Sequence, residues 1–139
     1  MPDRVTQACE DCFEAHQSDC SGFARAVAGQ CGVTLTGLAD QIVDTIRAGG
    51  AWTPLPDGLA AAKSAHDGKL VIAGLKGSEQ DHPNPHGHVV VVVDGPLGRD
   101  AYPSAYWGRL GGTGEKHKTI NFAWSENDRD EVSYAEHDI

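Results

Sequence analysis

The chain has 139 residues, of which 40% are hydrophobic and 22% are charged, and its 20 acidic and 11 basic side chains give a formal net charge of −9. This length suits one core and excludes two ordinary domains, so we expect a single domain over residues 1–139. No Lys/Arg-rich stripe offsets the acidic balance, so we expect no nucleic-acid partner, and no apolar run approaches the roughly 20 residues that membrane insertion requires.

The first residues, MPDRVTQACEDC, lack the basic and apolar regions of a secretory signal peptide. We therefore expect synthesis in the cytoplasm. If the protein acts elsewhere, another export route must carry it.

The first half of the chain reads as helical. Asp19 and Asp57 are good N-caps, and apolar residues recur at the helical period until Gly49-Gly50. The pattern predicts helices at residues 4–16, 20–30, about 36–48 and 59–65.

From Leu70 onwards, short apolar runs rich in β-branched residues indicate strands. The predicted strands are residues 70–73, 88–93, 106–110, 118–123 and 132–135, with a helical turn capped by Ser125 before the last. Helices followed by strands predict an α+β fold, with the helices packed on one side of an antiparallel sheet.

Cys20 stands in the sequence DCSGF, at the first turn of the second predicted helix. A helix N-terminus presents free N–H groups and a partial positive charge, which favour thiolate over thiol. Cys20 is therefore a candidate nucleophile, and the N–H of Cys20 or Ser21 is a candidate oxyanion donor.

His88 opens a strongly apolar predicted strand directly after Gly87. A rigid strand can hold an imidazole as the base that a nucleophilic cysteine needs, and the glycine leaves room for substrate backbone. A helix-borne cysteine followed by a sheet-borne histidine is the order of papain-like enzymes, so we pair Cys20 with His88.

Other groups allow rival interpretations. Cys9 and Cys12 have the spacing of a redox pair, although two packing thiols are the simpler interpretation, and either of them or Cys31 is open to disulfide formation in an oxidising space. A histidine-rich run lies at residues 81–88, but Pro83 and Pro85 break the helical spacing of a zinc site, so we expect neither metal nor cofactor.

Five segments resemble the type VI secretion amidase effectors of family 1, within the NlpC-type papain-like peptidases. They cover nearly the whole chain from about residue 8, and they are DCSGF at 19–23, LVIAGLKG at 70–77, GHVVVVVDGPL at 87–97, YPSAYWG at 102–108 and WSENDRD at 124–130.

The resemblance implies a compact papain-like fold and an antibacterial enzyme made in the bacterial cytoplasm, and we expect the protein to be a monomer. Such an effector leaves through the type VI machinery, with a tube component as a partner, and acts in the periplasm of the target cell. There it cuts the bond between γ-D-glutamate and meso-diaminopimelate in peptidoglycan stems, and a periplasmic immunity protein protects the producer. Cys20 then takes the place of the nucleophile and His88 that of the base.

At residues 102–108 the chain departs from the family, since it has Ser104, Ala105, Tyr106 and Trp107 where cysteines occur in a relative. The group that orients His88 therefore stays open, and the candidates are Asp94, Ser104, Tyr102 and a backbone carbonyl.

Substrate carboxylates need cationic partners, for which Lys76, Arg99, Arg109 and Lys116 are candidates. Gly111 to Gly114 are predicted to form a mobile rim of the groove. Another papain-like acyltransferase or deamidase, a metal-dependent hydrolase and a non-catalytic binding protein remain as alternative functions.

Overall fold

The computed structural model describes residues 3–139. Within this range four α-helices form, namely α1 (Arg4–His16), α2 (Cys20–Gln30), α3 (Ala39–Arg47) and α4 (Gly58–His66). The same residues form six β-strands, which are β1 (Thr53–Leu55), β2 (Leu70–Leu75), β3 (His88–Val92), β4 (Ser104–Trp107), β5 (Glu115–Thr119) and β6 (Ser133–His137). None of the helices in this range is long and apolar enough to cross a membrane.

The strands form one sheet in the order β1-β6-β2-β3-β4-β5, and every neighbouring pair is antiparallel. Each residue of β2 and nearly every residue of β3 is buried, because both faces of the central sheet are covered. That double burial explains why these strands read as unbroken apolar runs. The predicted α+β class is confirmed.

Two cores lie on opposite faces of the sheet. Leu70 and Ile72 of β2 join α1, α2 and α3 in the first core, whereas the alternate residues Val71 and Ala73 face α4 in the second. The expectation that all helices pack on one side is therefore wrong for α4. Its small residues, including Ala61, allow a close approach to the other face.

Several local predictions match the structure within a few residues. Asp57 caps α4, since its carboxylate accepts a hydrogen bond from the Ala60 N–H at 2.9 Å. Gly32 ends α2 with a positive φ of 83°, the left-handed conformation that glycine adopts without steric cost. The helical turn predicted after Ser125 is an irregular hydrogen-bonded turn instead.

Candidate active site

Two cavities meet at the start of α2. The histidine cavity, of about 280 Å³, is lined by Cys20, Gln80, Asn84, His86, Gly87, His88, Trp107, Arg109, Leu110, Ala123 and Trp124. The leucine cavity, of about 520 Å³, is lined by Asp19, Cys20, Ser21, Leu38, Ala39, Asp40, Gln41, Pro85, His86, Gly87 and Leu110. Cys20 therefore lies between the two cavities, which together form one groove.

Cys20 is only 7% exposed, but it is not sealed in the core, because it lines both cavities. Burial raises the pKa of its thiol, and the charge of Asp19 adds to that effect. Hydrogen bonds from the backbone N–H groups of Val89, Ser21 and Cys20 itself act in the opposite direction without overcoming burial. The N–H groups of the helix start thus lower the thiol pKa as expected, but burial outweighs them, and the resting sulfur is a thiol.

The first N–H groups of α2 are left without a side-chain cap. The Asp19 carboxylate does not cap the helix, and instead accepts a hydrogen bond from Ser21 Oγ at 3.1 Å. The first helical hydrogen bond at this end joins Phe23 N to the Asp19 carbonyl at 2.9 Å. The preceding N–H groups, including those of Cys20 and Ser21, are consequently suited to an oxyanion.

His88 begins β3, and its partly buried ring shares the histidine cavity with Cys20. The proximity of the Val89 N–H to the Cys20 sulfur shows that the start of β3 lies against the start of α2. Burial, and secondarily the charge of Arg109, lower the pKa of His88 to about 4. The imidazole is therefore neutral near pH 7 and free to accept a proton.

Two tryptophans hold the His88 ring. The Trp124 ring packs edge-on at 5.2 Å between centroids, and the Trp107 ring at 6.3 Å. Among residues 3–139 no side chain hydrogen bonds with this imidazole. Aromatic packing sets the orientation of the His88 ring, whereas in a papain-like triad a polar third residue orients the histidine.

The side chains suggested as the group that orients His88 lie away from its ring. Asp94 is six residues beyond His88, roughly 20 Å along an extended chain, and pairs with His66 at 3.1 Å. Ser104 is buried next to Val93, and its hydroxyl donates to the Pro96 carbonyl at 2.6 Å. Neither Asp94 nor Ser104 lines the two cavities beside Cys20.

Tyr102, the other side-chain candidate, is also remote from His88. Its hydroxyl donates to the Asp130 carboxylate at 2.6 Å, and it lines a separate cavity.

Gly87 lines both cavities, but the reason that it is glycine differs from the one expected. A Cβ here would collide with the Asp40 carboxylate and lie 3.0 Å from the Leu75 carbonyl. That carboxylate accepts a hydrogen bond from the Gly77 N–H at 3.1 Å. Gly87 thus makes room for Asp40, which ties α3 to the segment after β2.

The segment after β4 is fixed to the loop that precedes Cys20. The Arg109 N–H donates to the Gln17 carbonyl at 2.9 Å, and the Gly114 N–H donates to the same carbonyl at 2.8 Å. Ser18 Oγ donates to the Gly112 carbonyl at 2.7 Å. The segment at residues 111–114, predicted to be a mobile rim, is therefore tied by hydrogen bonds to the loop before Cys20, and none of its residues lines either cavity.

The four residues suggested as partners of substrate carboxylates differ in their positions and ion pairs. Lys76 pairs with Asp44, and Lys116 pairs with Glu10 at 2.9 Å. Arg99 sits in the exposed turn before β4, away from both cavities. Arg109 alone of the four lines the groove.

The remaining cysteines and histidines form no metal site in the described range. Cys9 and Cys12 lie on α1, Cys31 follows α2, and all are free thiols in the structure. Across residues 3–139 no three His, Cys, Asp or Glu side chains converge as metal ligands would.

Sequence reasoning missed several residues that line the groove. Trp107 and Trp124 fall within the quoted motifs, but only the fold brings both against one histidine. Leu38 and Leu110, 62% and 60% exposed, are the large apolar side chains at the rim. The sequence alone does not show that these two leucines are exposed, because exposure depends on the folded structure.

No family model matches the chain. Peptidoglycan amidase Tse1 of Pseudomonas aeruginosa is 36% identical over an alignment 141 positions long, which covers 94% of this chain and 86% of that protein. This similarity confirms the family suggested by the sequence motifs. The chain belongs to the type VI secretion amidase effector family that includes peptidoglycan amidase Tse1.

Proposed function

We propose that this protein is a peptidoglycan amidase in which Cys20 is the nucleophile and His88 the general base. The observation that carries the proposal is that both residues line one cavity, at the adjoining starts of α2 and β3. The similarity to peptidoglycan amidase Tse1 indicates the substrate class. The bond cut is that between γ-D-glutamate and meso-diaminopimelate.

The reaction begins from a neutral thiol and a neutral imidazole, as the directions of the two pKa shifts require. His88 takes the proton of the Cys20 thiol as the sulfur attacks the γ-carbonyl carbon of the glutamate. The carbonyl electrons move to oxygen. The uncapped N–H groups at the start of α2, including that of Ser21, stabilise the resulting oxyanion.

The tetrahedral intermediate collapses when the protonated His88 gives its proton to the leaving amine of diaminopimelate. The acyl group remains on Cys20 as a thioester. His88, again neutral, then accepts a proton from water, which attacks the thioester and releases the glutamate carboxylate. The thiol regains its proton from His88, so the cycle consumes only water.

Membership of the effector family extends the proposal to the setting of the reaction. The protein leaves its producer through the type VI machinery, carried by a tube component, and cuts stems in the periplasm of the target cell. A cognate periplasmic immunity protein protects the producer.

The test is digestion of purified sacculi followed by mass spectrometry of the released muropeptides. The wild type should produce stems that end at γ-D-glutamate, with a new amine on diaminopimelate. Cys20→Ala and His88→Ala should each lower the rate at least about a thousandfold, because each removes a group that acts in every turnover.

Matched substitutions guard against a general effect of losing a thiol or an imidazole. Cys12→Ala removes a partly exposed thiol on α1, and His66→Ala removes an exposed histidine near the far end of β3; both variants should digest sacculi normally. Substantial cleavage by Cys20→Ala, or cleavage at a different bond, would refute the proposal.

A further inference from the structure

The groove is electrically asymmetric. Within residues 3–139, Arg109 is the only lysine or arginine that lines either cavity, and the histidine cavity has no aspartate or glutamate in its wall. The leucine cavity instead has Asp19 and Asp40. A substrate that carries a carboxylate therefore finds a cation on one side of Cys20 alone.

Arg109 lacks an internal partner for its charge. Among residues 3–139 it forms no ion pair, which also holds for Arg99, whereas Lys76 and Lys116 are both paired. Arg109 differs from other arginines without an ion pair, such as Arg99, because it lines the histidine cavity beside the candidate nucleophile. Its guanidinium fork is suited to a carboxylate ligand.

The base of the Arg109 side chain is held at a fixed place relative to Cys20. Its backbone N–H binds the Gln17 carbonyl at 2.9 Å, and its carbonyl accepts from the Gly112 N–H at 3.0 Å. Gly108 packs directly on the loop before Cys20, with its ideal Cβ position 2.6 Å from the Asp19 carbonyl oxygen. The backbone of Arg109 is therefore fixed, and its side chain reaches the cavity wall from that point.

The proposed chemistry determines which half of the substrate meets Arg109. The leaving amine must face the His88 imidazole to receive its proton, so the residue that bears this amine lies in the histidine cavity. Diaminopimelate carries a second carboxylate at its D-centre, six bonds from the leaving nitrogen and roughly 7 Å away when extended. That span suits a cavity of about 280 Å³ with Arg109 in its wall.

Resting on the proposed function, we infer that Arg109 binds the D-centre carboxylate of diaminopimelate and so selects stems with this residue over stems with lysine. Lysine has the same chain and the same L-centre but lacks this carboxylate. Leu110 and the two tryptophans contact the intervening methylene groups and exclude water from them.

The test compares two synthetic tripeptides, L-Ala-γ-D-Glu-meso-diaminopimelate and L-Ala-γ-D-Glu-L-Lys, by the kcat/KM for amine release. The wild type should prefer the first by about tenfold, the effect of one charge-assisted contact at an exposed side chain. Arg109→Gln should lose that preference by slowing the diaminopimelate substrate without slowing the lysine substrate, and Arg109→Lys should keep part of it. Arg99→Gln, at an exposed arginine outside the groove, should behave like the wild type.

The outcomes separate the two proposals. An Arg109→Gln variant that keeps the preference, or that slows both tripeptides equally, would overturn this inference, as would a wild type that cuts both tripeptides at the same rate. A wild type that releases no amine from either tripeptide or from sacculi would instead refute the proposed function, and this inference with it.

Discussion

The low pKa of His88 makes a measurable contribution to how stability depends on pH. The imidazole titrates at about 4 in the folded protein, against 6.5 for an unperturbed histidine. As the pH falls, the unfolded chain takes up this proton first, so the contribution is complete above about pH 6.5 and is lost progressively down to about pH 4. Through His88 alone, the free energy of unfolding should fall by roughly 2 kcal/mol between about pH 7 and about pH 4.5.

Urea unfolding followed by tryptophan fluorescence at the two pH values measures this loss, with His88→Gln as the matched variant. Other groups also destabilise the fold in acid, such as Glu10 and Glu79, whose pKa values are lowered by hydrogen bonds to neighbouring side chains. Those groups act equally in both proteins, so the variant should lose about 2 kcal/mol less than the wild type. Equal losses would show that the imidazole is not desolvated in the folded protein.

Two further pairs of substitutions test the residues that support the site. Gly108→Ala adds a methyl against backbone that cannot retreat, and should cost about 2 kcal/mol in thermal or urea unfolding, whereas Gly112→Ala, whose nearest atoms lie at 3.8 Å, should be nearly neutral; equal stability of the two variants would contradict this packing. Trp124→Ala should lower kcat and change KM less, because loss of the indole leaves the His88 ring free to move. Trp124→Phe should restore most of kcat, because it keeps an aromatic edge against that ring. Full kcat in the alanine variant would show that the indole does not position His88.

The helix and the strand that carry Cys20 and His88 were predictable from the sequence, because neighbouring residues mark where each begins. The N-cap position of Asp19 predicts that α2 starts at Cys20, and the run of valines predicts that His88 opens a buried strand. Each signal depends only on neighbouring residues. The pairing of the helix start with the strand start also followed from the known order of papain-like enzymes.

Contacts between residues that lie far apart in the sequence could not be predicted from such local signals. Trp124 reaches His88 from 36 positions along the chain, and no local pattern marks it. β1 (Thr53–Leu55) looks like a turn because of Pro54, yet it pairs with β6 at the edge of the sheet, where a missing N–H is tolerated. The sheet face on which α4 packs could not be predicted either. Both faces of β2 are apolar, so the sequence does not show which face each helix covers.

The proposed role of Arg109 links recognition to catalysis. With an empty groove, its charge opposes formation of the imidazolium and so helps to keep the pKa of His88 low. A substrate carboxylate bound to Arg109 offsets that charge, and the imidazole then accepts the proton of the Cys20 thiol more readily. On this proposal, the dyad becomes more basic when the matching stem is bound. A stem without the second carboxylate leaves His88 opposed by the arginine, so selectivity should appear in kcat as well as in KM.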